Sequence, residues 1–171
     1  MVVLITALLF VLSVALQGSV LALVGTAGVH PDFLLVVTVS LGILGGTRNG
    51  AVIGASAGLL QDILFGSPLG FFAAVKMLIG ALAGMVADDI YKDMTAAPMT
   101  LIVFFSFFAD LLTYLLMKLF ALPISYTFSA YLQQYVPVRI AYHFLLTGIV
   151  YPPLYRAQRR QVLFPEKSFE E

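Results

Sequence analysis

Six apolar stretches, separated by short breaks that contain glycine, proline or charge, constrain this chain more than any motif does. The first, residues 2–24, is long enough to cross a bilayer, which takes about 20 apolar residues. Hydrophobic residues make up 61% of the 171-residue chain and charged residues 11%, whereas soluble domains carry roughly 25% charged residues. So few polar side chains cannot cover a water-facing surface of this size. The sequence therefore predicts an all-α integral membrane protein.

We predict that the six stretches form a six-transmembrane-helix bundle in a single domain, residues 1–171. The first stretch has no basic segment before it and exceeds the apolar core of a signal peptide, so we interpret it as a retained helix. The breaks contain residues that typically end helices and form turns. The predicted spans are 2–24, 32–47, 50–65, 70–87, 98–119 and 137–155, followed by a tail, 156–171.

The second and third spans are short. Each would form roughly 24 Å of helix, whereas the hydrocarbon core of a bilayer is about 30 Å thick. The alternative is a re-entrant hairpin, which would bury Arg48 at its tip at a cost of at least ~2.5 kcal/mol. We therefore favour two short full spans that leave Arg48 at the membrane interface.

Basic residues predict the orientation of the bundle. Those in loops or tail fall on one side, and the loops GTAGVHPD, GSPLG and ALPISYTFSAYLQQYVP on the other side contain no Lys or Arg. Because cytoplasmic loops carry the excess of Lys and Arg, both termini are predicted to be cytoplasmic. The basic residues on the predicted cytoplasmic side are Arg48, Lys92, Arg156, Arg159, Arg160 and Lys167.

Other features argue against several functional classes. The formal net charge is zero, so nothing indicates a nucleic-acid partner, and the lipid bilayer is the expected environment. The chain has no cysteine and therefore no thiolate metal site. His143 has no nucleophile or metal ligand at a telling spacing, and no glycine-rich phosphate loop is present. We expect no enzymatic activity, no metal and no cofactor.

Glycine spacing predicts where helices pack closely. Helices in lipid gain little from hydrophobic burial against each other, so small residues that allow close backbone approach matter more. The third span has glycines at every fourth position, and the fourth span repeats this spacing once. The predicted packing residues are Gly50, Gly54, Gly58, Gly80 and Gly84.

Ionisable residues inside the spans predict a polar network in the outer half of the membrane. An unpaired charge there costs several kcal/mol, so each is expected to have a partner. We expect the hairpin at GSPLG to bring the side chains of Asp62 and Lys76 together, and stripes of polar residues mark two further spans. The first stripe is Ser106, Asp110, Tyr114 and Lys118; the second is Arg139, His143 and Thr147.

Three interpretations of Asp62, Lys76, Asp110, Arg139 and His143 remain open at this point. They form internal ion pairs that fix helix register, or bind a partner's membrane segment or outer flank, or line a small-molecule pocket. Lys118 and Arg139 also have side chains long enough to reach the interface.

The last outer loop contains an aromatic pattern. Phe128, Tyr131, Leu132 and Tyr135 recur at helical spacing within residues 125–135. Such a pattern is typical of a short helix lying in the membrane interface. It acts either as an aromatic anchor or as a docking surface for another protein.

Residues 30–84 resemble the MreD family of rod-shape-determining membrane proteins. The resemblance rests on PD before the second span, the glycine-spaced third span, GLLQDILFGSPLG and the small-residue fourth span. The length, the number of spans and the basic tail also agree. The positions that match the family motif are Pro31, Asp32, Gln61, Asp62, Gly66, Pro68 and Gly70.

This resemblance implies a non-enzymatic scaffold of the bacterial cell-elongation machinery in the cytoplasmic membrane. The implied direct partner is MreC, through its membrane helix and outer flank, with MreB, RodA and its penicillin-binding protein as indirect partners. The architecture also looks similar to the substrate-binding subunits of energy-coupling-factor vitamin transporters. A vitamin or small-metabolite transporter subunit is therefore the alternative, although the first span lacks the Ala-x-x-x-Ala pattern associated with those subunits.

Overall fold

The computed structural model describes residues 2–24, 29–89, 92–122 and 127–164, and all regular structure in these ranges is helical. A 3₁₀ turn, Val86–Asp89, follows α3, and a π-helical turn, Tyr131–Tyr135, joins α5 to α6. Parts of the predicted breaks and tail residues 165–171, including Lys167, lie outside the described residues. The helices are α1 (Val2–Val24), α2 (Phe33–Phe65), α3 (Phe71–Met85), α4 (Ala96–Leu119), α5 (Phe128–Ala130) and α6 (Val136–Arg159).

Helix α2 is folded back on itself at Gly46. This residue has φ 79° and ψ 177°, a conformation that is essentially confined to glycine. A Cβ built on Gly50 would lie 3.0 Å from the Cα of Gly42, whereas eight residues of continuous helix span about 12 Å. The two halves of α2, residues 33–45 and 47–65, therefore lie side by side.

The break in α2 differs from the one expected between the second and third spans. The sequence predicted a short break, in the stretch GTRNG, between spans 32–47 and 50–65. In the structure a single glycine reverses the chain, and residues 47–50 already belong to the second half of the helix. One residue suffices because glycine has no Cβ to clash with the reversed backbone.

The first half of α2 forms the centre of the core. Every residue from Leu34 to Leu44 is buried, and α2 contacts α1, α3, α4 and α6. This segment therefore has no face left for lipid. The apolar side chains of these residues pack against other helices and not against lipid.

Glycine brings the second half of α2 into backbone contact with α3. A Cβ on Gly50 would lie 2.1 Å from the carbonyl oxygen of Gly80, and one on Gly54 would lie 2.0 Å from that of Lys76. A Cβ on Gly58 would lie 2.3 Å from the carbonyl oxygen of Phe72. No side chain fits at such distances, so this glycine seam fixes α3 against α2.

Two helices among the described residues are long and apolar enough to cross a membrane: α4, and α2 when its two halves are counted together as Phe33–Phe65. Shorter apolar segments are Val3–Gln17 in α1 and Phe71–Met85. Large apolar side chains such as Val3, Phe104 and Leu115 are exposed, as expected of a surface that meets lipid. The number of spans and the orientation stay predictions.

The residues at the end of α6 and just after it pack against the rest of the protein. The helix runs to Arg159, beyond the predicted span end at 155, and the chain then turns back. The side chain of Gln158 donates to the carbonyl of Phe164 at 3.0 Å and accepts from its N–H at 2.9 Å. Leu163 and Phe164 are buried, so the start of the predicted tail belongs to the core.

We expect Gly54→Val to destabilise the fold, because the new side chain would meet the Lys76 carbonyl and push α3 away from α2. Overpacking of this kind costs about 1–3 kcal/mol or more. The midpoint of thermal unfolding in detergent should fall by several degrees. Leu59→Val, at an exposed position of the same helix, is the control and should leave the midpoint near the wild-type value. Equal midpoints for the two variants would contradict the close contact.

Candidate functional site

Asp62 caps the start of α3. Its carboxylate accepts hydrogen bonds from the backbone N–H groups of Gly70 at 2.9 Å, Phe72 at 2.8 Å and Ala73 at 3.3 Å. The first N–H groups of a helix have no partner within the helix, and a carboxylate also interacts favourably with the helix dipole there. Since Asp62 is only 1% exposed, it supplies acceptors where water has little access.

The turn after Asp62 uses two glycines in the left-handed region. Gly66 has φ 68° and Gly70 has φ 95°, conformations that favour glycine. The N–H groups of Gly66 and Ser67 both donate to the carbonyl of Asp62, and that of Phe71 donates to the carbonyl of Pro68. Asp62 therefore fixes the turn through both its main chain and its side chain.

Lys76 forms its ion pair with Asp32, although the sequence favoured Asp62 as the neighbouring acid. The carboxylate of Asp62 is already taken by backbone N–H groups, whereas Asp32 lies at the start of α2 beside Lys76. Asp32 also caps α2, because its other carboxylate oxygen accepts from the N–H of Leu35 at 2.9 Å. Lys76 is 2% exposed, so the pair is made inside the protein.

His143 connects three helices. Its Nε2 accepts the backbone N–H of Asp32 at 2.8 Å, so the ring proton lies on Nδ1 and is donated to the hydroxyl of Ser106. The hydroxyl of Thr147 donates to the carbonyl of His143 at 2.7 Å. His143 and Ser106 are both fully buried, and together they join the beginning of α2 to α4 and α6.

Asp110 and Arg139 form a second ion pair, between α4 and α6. The same oxygen of Asp110, Oδ1, also accepts from the hydroxyl of Tyr131 at 3.0 Å. The Tyr131 ring is buried and stacks on Tyr114, with centroids 5.6 Å apart. The expected aromatic interface helix is thus held against α4 at this point and is continuous with α6.

These two ion pairs line a cavity of about 390 Å³, which we call the polar cavity. Exposed His30 and half-buried Ser67 contribute to its rim, so it opens at the end of the bundle where the 66–70 turn lies. Asp62 does not line it, but the other four residues of the predicted network do. The polar residues of its lining are Gln17, His30, Asp32, Gln61, Ser67, Lys76, Asp110, Thr113, Tyr131, Arg139 and His143.

Several buried polar atoms in this lining have no hydrogen-bond partner among the described residues. They are the acceptors Oε1 of Gln17, Oε1 of Gln61 and Oδ2 of Asp110, and the donor Nε of Arg139. Buried polar groups in folded proteins are normally satisfied, so such a concentration marks a place that a ligand or partner completes. Three of these four atoms are acceptors, and the cavity therefore favours a group that donates hydrogen bonds.

The sequence did not indicate the roles of Gln17 and Tyr131 in the polar cavity or the pairing of Asp32 with Lys76. A Lys within an apolar span requires an acid, but Asp32 begins the second predicted span and Lys76 lies in the fourth, so their separation in sequence gave no sign of the pair. The remaining residue of the first polar stripe, Lys118, is exposed and lies over the ring of Tyr114 at 5.4 Å. It takes no part in the polar cavity.

A family model described as rod shape-determining protein MreD matches residues 1–160. No curated protein and no solved structure matches the chain. The similarity in architecture to transporter substrate-binding subunits therefore stays a prediction.

We expect Asp62→Leu to destabilise the protein strongly, because it leaves the N–H groups of Gly70, Phe72 and Ala73 without an acceptor. Each buried unsatisfied group costs about 1–3 kcal/mol. Asp62→Asn keeps one acceptor oxygen and should lose less. Thermal unfolding in detergent should therefore rank the midpoints as wild type, Asn variant, Leu variant, with insertion into the membrane unchanged. A Leu variant as stable as wild type would rule out the capping role.

Proposed function

The chain belongs to the MreD family of rod shape-determining proteins, and from this premise we propose that it is a membrane scaffold of the bacterial cell-elongation machinery. In this proposal it is not an enzyme, and it supports lateral peptidoglycan synthesis by binding MreC. Through MreC it acts indirectly with MreB, RodA and its penicillin-binding protein. It crosses the cytoplasmic membrane several times, with both termini in the cytoplasm.

The polar cavity is the observation that carries the proposal. Its volume of about 390 Å³ suits a few side chains, and its unpartnered acceptors suit a segment that presents N–H donors. The charges of the lining are largely compensated, because Lys76 pairs with Asp32 and Arg139 with Asp110. We propose that the segment of MreC flanking its membrane helix enters this cavity from outside the membrane.

The hydrogen bonds of His143 favour a scaffold over a catalyst. A general base needs a free nitrogen within reach of a substrate proton. Both ring nitrogens of His143 are engaged, one by the Asp32 N–H and the other by Ser106. The imidazole therefore serves to hold α2, α4 and α6 together, and a rigid cavity loses less entropy when it binds a partner.

The distribution of charge supports the proposed orientation. The ring of Phe164 lies 2.8 Å from a Cβ built on Gly45, so the end of α6 meets the break in α2. Arg48, Arg159 and Arg160 therefore gather at the end of the bundle away from the 66–70 turn. Cytoplasmic segments carry such an excess of basic residues, and the polar cavity then opens on the outer side.

We expect Gln61→Met to separate binding from stability. Methionine removes a buried acceptor that has no partner among the described residues, so the isolated protein should be as stable as wild type or more stable. Capture of MreC from detergent-solubilised membranes should weaken by about 2- to 10-fold, because one hydrogen bond contributes ~0.5–1.5 kcal/mol.

Ser40→Ala is the matched control for this experiment. Its hydroxyl is also buried without a partner among the described residues, but it lies away from the polar cavity. Wild-type capture of MreC by both variants would contradict the proposed contact. A small metabolite retained by the wild-type protein and lost from Gln61→Met, with MreC capture unchanged, would instead favour a transporter subunit.

A further inference from the structure

A second concave surface lies at the opposite end of the bundle from the polar cavity. It is a groove of about 570 Å³ between α1 and the second half of α2, which we call the α1–α2 groove. Val3 and Ala7 of α1 line one wall, and Val52 and Ile53 of α2 line the other. Phe164, which follows α6, also lines it. Its volume falls within the range of about 300–1,000 Å³ that is usual for ligand sites.

Arg48 is the one charged residue among the described residues that line this groove, and its side chain is exposed. None of the described residues forms an ion pair with it, in contrast to Lys76 and Arg139 in the polar cavity. The groove therefore presents an uncompensated positive charge next to apolar walls. A ligand that satisfies both features carries an anionic group and a hydrocarbon chain.

Two polar side chains beside Arg48, those of Asn49 and Ser56, already form hydrogen bonds within α2. The amide of Asn49 donates to the carbonyl of Gly45 at 2.9 Å, and the hydroxyl of Ser56 donates to the carbonyl of Val52 at 2.8 Å. One N–H of the Asn49 amide and the hydroxyl of Ser56 are thus used within α2 itself. Val3 and Val52 are 80% and 60% exposed, so the walls offer apolar surface that nothing in the described chain covers.

We propose that the α1–α2 groove binds one anionic phospholipid, with its phosphate on Arg48 and an acyl chain between α1 and α2. Guanidinium and phosphate form short, charge-assisted hydrogen bonds, often two in parallel. Basic pockets between membrane helices bind anionic headgroups in this way, and the anionic inner leaflet supplies the lipid. The site is independent of MreC binding, because it lies at the other end of the bundle.

Native mass spectrometry of the full-length protein in detergent tests this assignment with added phosphatidylglycerol or phosphatidylcholine. The wild type should retain one phosphatidylglycerol in preference to phosphatidylcholine. Arg48→Gln should bind phosphatidylglycerol about fivefold more weakly, the factor expected for one basic residue near an anionic lipid. Arg159→Gln removes an exposed charge outside the groove and should bind as wild type.

A second pair of variants tests the hydrocarbon part of the site. Ala7→Phe fills the groove and leaves Arg48 in place, so it should reduce lipid retention, whereas Leu8→Phe, outside the groove lining, should not. Equal retention of both lipids, wild-type binding by Arg48→Gln, or full competition by glycerol 3-phosphate would overturn the assignment. Loss of the bound lipid on addition of MreC would also overturn it, because the groove would then be a protein interface.

Discussion

The glycine seam between α2 and α3 is the contact on which the rest of the structure depends. It allows the backbones at Gly50, Gly54 and Gly58 to approach α3 without intervening side chains. In lipid, where apolar burial between helices gains little, such close packing is a main source of association. The seam also determines where Lys76 lies, because the carbonyl of Lys76 is itself part of the contact. The ion pair with Asp32 and the polar cavity follow from that position.

The sequence predicted the helices well, because their apolar stretches and their glycine and proline breaks are local signals. It could not show that the first half of α2 is buried on all sides, because core packing and lipid contact select the same apolar residues. Nor could it distinguish Asp32 from Asp62 as the partner of Lys76. That choice depends on Asp62 being occupied by the N–H groups of α3, which only the folded turn reveals.

Motif residues acquire different physical roles once the turn is folded. Gly66 and Gly70 adopt left-handed conformations. The carboxylate of Asp62 accepts hydrogen bonds from the N–H group of Gly70 and from those of the first turn of α3. Asp32 combines a helix cap, an ion pair and, through its own N–H, the orientation of His143. These roles are structural and local, so they explain the motif without requiring that each residue touch a partner.

One end of the bundle leaves hydrogen-bonding atoms without partners among the described residues, and the other leaves a charged side chain without an ion pair. This difference argues for two kinds of ligand. At the polar cavity the charges of Lys76 and Arg139 are paired, and three of the four atoms without a partner among the described residues are acceptors that need hydrogen-bond donors. A polypeptide flank supplies such donors at fixed positions. Among the described residues, Arg48 is the only charged residue that lines the α1–α2 groove and it forms no ion pair, whereas the walls are apolar, which suits an anionic amphiphile. A protein anchored by lipid at one end and bound to a partner at the other would hold that partner at a fixed depth in the membrane, as a scaffold requires.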